Sequence, residues 1–288
     1  MREEAETEVP TLLAHARDDA SAARRKREAR LEAAAELGRS RPTPEAAIPE
    51  AGSRSAVRRA RRRRRERLLA SWLWETSGEP YEALLARVRG LGRDDQERLF
   101  EQALAARGPR DAIPEGMEGA GQLSFEVIVD FGAYRDIGRH RKGFQDQQRL
   151  TTALGFCVPP LFDEAGLGDR YREVMRSVGA RARRIAARFP DAAGYVVPFG
   201  YRQRIRIDFD LRQMAYFCEL RSAPEGHFSY REVAIRMADE LVRVAPLYER
   251  FVRTCRERVL LGRVEAERGR DERRRTREER ARRAGFET

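Results

Sequence analysis

The sequence predicts an α/β (α+β) fold, in which an antiparallel or mixed sheet packs against long helices. Apolar and charged residues alternate from Arg202 to Phe209, as they do in a half-buried strand. A second strand-like run, 123–130, passes into a short helical pattern, and long stretches with helical spacing follow it. With 288 residues the chain can hold one large domain or two small ones.

The N-terminal part predicts an arm followed by a small helical region. Residues 1–67 are rich in Ala, Arg and Glu, and the run Arg61 to Arg65 repels itself without offering an apolar face, so we expect a disordered arm with transient helix. Residues 68–108 carry three apolar groups at helical spacing, separated by glycines, and predict three short helices. Residues 109–122 predict a linker.

Residues 123–261 predict the main domain. The expected elements after the first strand are a short helix over 132–141, an extended stretch over 145–151, a long helix from Phe162 to Phe189, the strand 202–209, and helices over 210–222 and 229–256. The long helix is expected to bury one face. That face consists of Leu167, Tyr171, Val174, Met175, Val178 and Ile185. Residues 262–288 predict a charged helix or a disordered tail.

The net charge of +11 lies mainly at the two ends of the chain. Residues 1–67 carry +6 and residues 262–288 carry +3, which leaves +2 for the patterned centre. A basic nucleic-acid groove is therefore not expected in the folded part. Nucleic-acid binding through the arginine-rich tails stays open as a third hypothesis, and it predicts an affinity that falls steeply with salt.

Cysteine usage and hydropathy predict a cytoplasmic protein. Cys157, Cys218 and Cys255 are few and widely spaced, and no Cys/His pattern with metal-ligand spacing occurs, so neither a metal site nor a disulfide scaffold is expected. No apolar run approaches the length of a membrane span, and the charged N-terminus lacks the apolar core of a signal peptide. We expect no membrane partner.

Two segments about eighty residues apart carry the candidate site. The first ends in Arg139-His140-Arg141, and the second runs from Asp210 to Arg221 and is followed by His227. Guanidinium groups with an imidazole between them are donors suited to phosphates and flat heterocycles. Fifty-six of the 58 basic residues are arginine, so a single arginine is weak evidence and the pairing of the two segments is the stronger argument.

These segments resemble those of flavin-dependent thymidylate synthases over roughly Leu123 to Phe251. That family has a motif of the form RHRxxSxNExSxRY and a later helix of the form NxR…lR followed by a His. The resemblance implies a homotetramer that holds FAD and deoxyuridylate (dUMP) where subunits meet. It also implies methylation of dUMP to dTMP with methylenetetrahydrofolate, and reduction of the flavin by NADPH.

The resemblance assigns expected roles to individual residues. Arg221 would lie against the uracil ring and polarise it, as the catalytic residue. The expected FAD-binding residues are Arg139, His140, Arg141, Arg212 and His227.

The nucleotide-binding part of the motif is rewritten here. Phe144 stands where the family has its first Ser, Arg149 replaces the second, and Thr151-Thr152 replace its Arg-Tyr pair. Gln147 and Gln148 can still form hydrogen bonds with the edge of a uracil, and Arg149 can bind a phosphate. These three are therefore the expected substrate-binding residues.

The chain also resembles the degenerate second half of tandem-domain members of the family. We therefore expect either a homo-oligomer or an assembly with a paralogue that carries the intact motif. Two hypotheses follow for the main domain: an FAD-dependent thymidylate synthase, or a catalytically degenerate flavin- or nucleotide-binding subunit.

Overall fold

Two antiparallel strands form the centre of the structure, a computed structural model. The first, Leu123–Asp130, pairs with the second, Arg202–Phe209, along its whole length, so that Leu123 lies opposite Phe209. The bounds of the second strand are those that the alternation predicts, and its Ile205, Ile207 and Phe209 are buried as expected. Alternation identifies this strand because one face meets the core and the other meets solvent.

The structure describes residues 54–59, 64–105, 107–108, 111–190, 192–257, 259 and 262–283. Within them the sheet has four antiparallel strands in the order β1-β2-β4-β3. These strands are β1 (Arg54–Arg59), β2 (Leu123–Asp130), β3 (Phe144–Gln147) and β4 (Arg202–Phe209). The α/β (α+β) class with an antiparallel sheet is thereby confirmed.

The described helices are α1 (Arg64–Ser77), α2 (Tyr81–Gly90), α3 (Arg93–Ala105), α4 (Phe131–Ile137), α5 (Pro160–Glu164), α6 (Gly168–Arg188), α7 (Leu211–Ser222), α8 (Phe228–Val244) and α9 (Gly262–Arg283). Short 3-10 helices lie at Glu115–Ala120, Ala193–Val196 and Pro246–Arg250. None of the helices among the described residues has the length and apolarity that crossing a membrane requires.

One hydrophobic core joins the three N-terminal helices to the sheet. Leu69 of α1, Phe100 of α3 and Phe209 of β4 are each fully buried in the same cluster. The rings of Phe100 and Phe251 meet edge to face with 5.8 Å between centroids. The helices expected as a separate small packing unit are thus part of the main core, because their apolar faces are covered by the domain.

The prediction of a disordered arm over residues 1–67 is wrong for the last residues of that range. Arg54–Arg59 form β1, which pairs with β2, and α1 begins at Arg64 rather than after residue 67. The backbone of β1 completes the hydrogen bonding of the edge of β2, a long-range interaction that a local charge run does not reveal. Residues 1–53 of the predicted arm lie outside the described residues.

Several helices end earlier than predicted, for local reasons. The expected helix from Phe162 to Phe189 is split between α5 and α6 by Gly166, whose φ is +70°. The helix expected over 229–256 ends at Val244, shortly before Pro246. The predicted tail is helical over Gly262–Arg283.

The buried face of α6 differs from the expected one. Met175 is buried as expected, but Leu167, just before the helix, and Val174 within it are about half exposed. Gly179 and Ala182, which were not expected on this face, are buried. A Cβ on Gly179 would lie 2.0 Å from the hydroxyl oxygen of Tyr201, which donates a hydrogen bond to the carbonyl oxygen of Met175. Small residues therefore bring α6 close to the start of β4.

Candidate functional site

The two motif segments meet in the fold. The Nε–H of Arg221 donates to Nε2 of His140 over 2.8 Å, although the two residues are 81 positions apart. Its Nη2 donates to the carbonyl oxygen of Asp136, also over 2.8 Å. Two of the three guanidinium nitrogens are thereby fixed by the last turn of α4 and the turn that follows it. The orientation of the Arg221 side chain is set by the first motif segment.

His140 is a buried hydrogen-bond acceptor. It is 5% exposed, its ring lies 5.0 Å from that of Phe217, and the side-chain amide of Gln213 lies 3.1 Å from Nδ1. Because Nε2 accepts from Arg221, the neutral ring carries its proton on Nδ1. The atom of Gln213 nearest Nδ1 is its amide nitrogen, and a half-turn of the amide brings its oxygen there as the acceptor. Burial, together with the charge of Arg221, lowers the pKa of His140 from 6.5 to about 4.

The outer face of Arg221 is bounded by an aromatic ring. Its guanidinium carbon lies 5.3 Å from the centroid of the Tyr230 ring, which belongs to α8. A cation over an aromatic face is attracted by the ring quadrupole and keeps its charge. Arg221 is thus a fixed cation between the turn after α4 and the first turns of α8.

A cavity of about 560 Å³ adjoins this pair. Asp136 and Tyr230, the two neighbours of Arg221, line it, and so does His227. Arg139 pairs with one residue of this wall, since its Nε lies 3.5 Å from a carboxylate oxygen of Asp136, and its side chain is 73% exposed. Other parts of the wall are aromatic: Phe162, Tyr171, Phe199 and Phe228.

A buried carboxylate holds two walls of this cavity together. Asp130 caps α4 by accepting from the backbone N–H of Ala133 over 2.8 Å, and its other oxygen accepts from the hydroxyl of Ser229 in α8. His227 caps α8, with Nδ1 accepting from the backbone N–H of Ser229. A cap bonded in this way stabilises the helix start and fixes the distance between α4 and α8.

The predicted substrate-binding residues lie in a different place. Gln147, Gln148 and Arg149 line a second cleft of about 540 Å³, which shares Phe199 with the first cavity. The side-chain amide of Gln203, a buried residue, donates to the Oε1 atom of Gln147 over 3.2 Å. The described chain therefore does not place these three residues beside Arg221.

Arg212 bonds to glutamates instead of the His140–Arg221 pair, and Arg141, which follows His140, points to solvent. Arg212 is ion-paired with Glu118 at 2.8 Å and Glu115 at 3.1 Å, and these bonds raise its pKa. Arg141 is exposed. Of the predicted residues, His140 and Arg221 are in contact, His227 lines the first cavity, and Arg139 pairs with Asp136 in its wall.

Sequence reasoning missed the residues that support the pair. Gln213, Tyr230 and Asp130 contact His140, Arg221 and the two helix starts, respectively. The role of Asp130 could have been predicted, because Asp directly before a helical pattern is a preferred N-cap. Asp210 caps α7 in the same way by accepting from the backbone N–H of Gln213. Nothing in the local pattern distinguishes Tyr230.

Within the described residues there is no group of three or more His, Cys, Asp or Glu arranged to hold a metal ion.

Comparisons with known proteins bear on the same region. Residues 119–247 match the model of the family described as thymidylate synthase complementing protein. A UPF0159 protein of Chlamydia muridarum is 37% identical over 188 residues, which make up 65% of this chain and 35% of the relative. UPF0159 proteins of Chlamydia pneumoniae and Thermoplasma acidophilum are each 32% identical, over 64% and 58% of this chain and 35% and 34% of their own lengths.

The chain spans about a third of the length of these curated relatives. The matched region contains β2 to α8, and with them the Arg139–Arg141 segment, Arg221 and His227. The match over residues 119–247 is to the thymidylate synthase complementing protein family, and it agrees with the resemblance to flavin-dependent thymidylate synthases that the two motif segments indicated.

Proposed function

We propose that this protein is an FAD-dependent thymidylate synthase that methylates dUMP to dTMP. Methylenetetrahydrofolate would supply the carbon and NADPH the reducing equivalents. The observation that carries the proposal is the contact between Arg221 and His140, which joins the two family segments beside a cavity. A thymidylate synthase-related protein is what the family match supports; the cofactors and the turnover are our proposal.

Arg221 would act as the electrostatic catalyst. As C5 of the uracil becomes nucleophilic, negative charge develops on the ring carbonyl oxygens, and a fixed cation beside them lowers the energy of that state. His140 would be a positioning residue, because a neutral imidazole accepts from Nε and leaves the charge on the guanidinium. Its pKa of about 4 keeps the ring neutral at physiological pH.

The residues present fit an FAD molecule in two respects. Arg139 is largely exposed and Arg141 is exposed, so both could reach a pyrophosphate. The aromatic wall formed by Phe162, Phe199 and Phe228 suits a flat ring system. When bound, the flavin supplies hydride chemistry that no protein side chain can perform.

The flavin content of the purified chain tests the cofactor. We expect a yellow protein whose absorbance reports bound FAD. A colourless protein that takes up no added FAD would overturn the proposal.

Release of tritium from 5-tritiated dUMP tests the reaction. Arg221→Met should lower this release by about 10²-fold or more, the usual size of a lost oxyanion-type contact. The matched control is Arg243→Met on α8, where Arg243 is exposed and pairs with Glu240, and it should release tritium as the wild type does. Equal release by Arg221→Met and the control would contradict the role of Arg221.

A second candidate is a binding subunit without turnover, which would assemble with an intact paralogue. Phe144 is half exposed at the position of a family Ser, and Arg206 lies over its ring at 5.5 Å. Arg212 is already neutralised by two glutamates. These two features favour a protein that binds the nucleotide or the flavin without catalysing the methylation. Stabilisation by dUMP or FAD in a melting experiment without tritium release would support this candidate over the enzyme.

A homotetramer is the assembly that we propose for the enzyme. The mass of the full chain in solution, measured by light scattering during gel filtration, tests it. A monomer alone, which takes up flavin only when an intact paralogue is added, would favour the second candidate instead.

A further inference from the structure

Helix α9 carries a row of arginines on one face and its carboxylates on the others. Successive residues of an α-helix are turned by about 100°, so side chains three, four or seven positions apart share a face. Four exposed arginines follow this spacing and form what we call the arginine row: Arg270, Arg273, Arg277 and Arg280. The carboxylates lie on the remaining sides of the helix: Glu265, Glu267, Asp271, Glu272, Glu278 and Glu279.

The arginine row is not neutralised by ion pairs. Among the residues that the structure describes, no carboxylate pairs with any of its four members. The reason is local, because the positions three and four before and after Arg273 and Arg277 hold Gly, Ala, Thr or Arg. The guanidinium groups of the row are therefore available to an external anion.

Other arginines of α9 have acidic neighbours. The Nε atom of Arg274 lies 3.6 Å from a carboxylate oxygen of Glu278. Arg275 and Arg268 have four and three carboxylates, respectively, at positions three or four away. The neighbours of Arg275 are Asp271, Glu272, Glu278 and Glu279, and those of Arg268 are Glu265, Asp271 and Glu272. The uncompensated positive charge of α9 is thus concentrated in the arginine row.

The arginine row destabilises the helix that carries it. Like charges three or four positions apart repel each other on a helix, and the row contains three such pairs. Packing against the protein does not offset this repulsion, since every residue from 270 to 280 is exposed. Anionic groups placed along the row would turn the repulsion into attraction. The row is therefore suited to a surface with closely spaced negative charges.

The start of α9 is attached to the folded domain. The buried guanidinium of Arg231 donates to the carbonyl oxygens of Ser222 at 3.0 Å, Glu257 at 2.7 Å and Val259 at 3.2 Å. The segment that leads into α9 is thereby bonded to α7 and α8. A partner held by the arginine row would be held by the domain as well.

We propose that the arginine row of α9 docks on the phosphate backbone along the major groove of duplex DNA. The row is about 15 Å long, and DNA carries one negative charge per about 1.7 Å of its axis. An α-helix, about 10–12 Å across, fits a major groove of about 12 Å. The carboxylates on the other faces of α9 would point away from the phosphates, so a single face of the helix would bind.

Two other polyanions suit α9 less well. The major groove of an RNA duplex is deep and narrow, and it does not admit a helix in this way. A helix that binds an anionic membrane needs an apolar face, whereas Val264 and Ala266 are the only apolar side chains between residues 262 and 280. Phosphate contacts carry no sequence information, so we expect binding without a preferred DNA sequence.

The test measures binding of the full chain to a short DNA duplex of mixed sequence, by fluorescence anisotropy at several salt concentrations. The affinity of the wild type should fall as salt is added, because each arginine on a phosphate releases a counterion. The double variant Arg273→Gln with Arg277→Gln should bind about tenfold or more weakly at low salt. The slope of log affinity against log salt should become shallower by about two, roughly one for each arginine.

The matched control is the double variant Arg268→Gln with Arg275→Gln. It removes the same charge from the same helix, and Gln has nearly the helix propensity of Arg, so it should retain the wild-type slope. The comparison also cancels any binding through the basic N-terminal residues, which both variants share. All four side chains are exposed, so both variants should keep the wild-type melting temperature.

Equal losses of slope in the two double variants would overturn the inference, because net charge alone would then explain the binding. So would an RNA duplex of the same sequence that binds as tightly as the DNA, or a wild type that binds no DNA at low salt. Flavin content separates this inference from the proposed function. A yellow protein with equal slopes in both variants loses only the DNA site, whereas a colourless protein whose slope depends on the arginine row loses only the enzyme assignment.

Discussion

Protonation of His140 should destabilise this protein as the pH falls. The imidazole has a pKa of about 4 in the folded chain and 6.5 as its ordinary value, because burial and the charge of Arg221 oppose a second proton. Between these two values the unfolded chain binds more protons than the folded chain. The free energy of unfolding therefore rises with pH in this window and falls as the pH drops from about 6.5 towards 4.

The size of the effect follows from the two pKa values. Between pH 7 and pH 5 the contribution of His140 should fall by roughly 2 kcal/mol, out of a total of about 3 kcal/mol for the complete shift. Carboxylates with ordinary pKa values remain mostly ionised at pH 5, so they add little over this range. The loss is a substantial fraction of the stability of a typical domain.

Urea unfolding at pH 7 and pH 5 measures this effect, and His140→Gln isolates it. Glutamine can still accept from Arg221 but does not titrate, so its free energy of unfolding should change by about 2 kcal/mol less than that of the wild type between the two pH values. His227→Gln also removes one histidine and should retain the His140 contribution. If wild type and His140→Gln lose the same free energy, the buried neutral imidazole is not the source and our interpretation of the Arg221 contact fails.

Two further predictions concern the cavity walls and α6. Asp130→Ala should lower the free energy of unfolding by about 2–4 kcal/mol in urea, because it removes a helix cap and leaves the buried hydroxyl of Ser229 without its acceptor; a loss below about 1 kcal/mol would contradict this. Gly179→Ala should cost about 1–3 kcal/mol, since its Cβ would meet Tyr201. Gly90→Ala, with open space around it, should not lower the melting temperature, and equal effects at both glycines would refute the steric argument.

The strands and caps could be predicted because their causes are local. Alternation over 202–209 reports that one face is buried, and Asp130 and Asp210 precede helices whose first N–H groups they accept. The proximity of Arg139–Arg141 to the segment that ends at Arg221 could also be anticipated, because both segments resemble motifs of one protein family. The fold class follows from these elements together.

The partner of each arginine could not be predicted, because these contacts join residues far apart along the chain. Arg212 pairs with glutamates more than ninety positions earlier, and Arg221 donates to His140 across 81 positions. In a chain with 56 arginines, local pattern does not distinguish a buried contact from a solvated one.

Short-range periodicity and capping thus account for the secondary structure, the helix starts and the two segments that mark the family. Which side chains share a cavity, which guanidinium is neutralised by a carboxylate, and how far the ring of His140 is removed from water all depend on packing between distant segments. Desolvation and charge pairing are properties of the assembled interior, and they give His140, Arg221 and Arg212 their separate chemical environments.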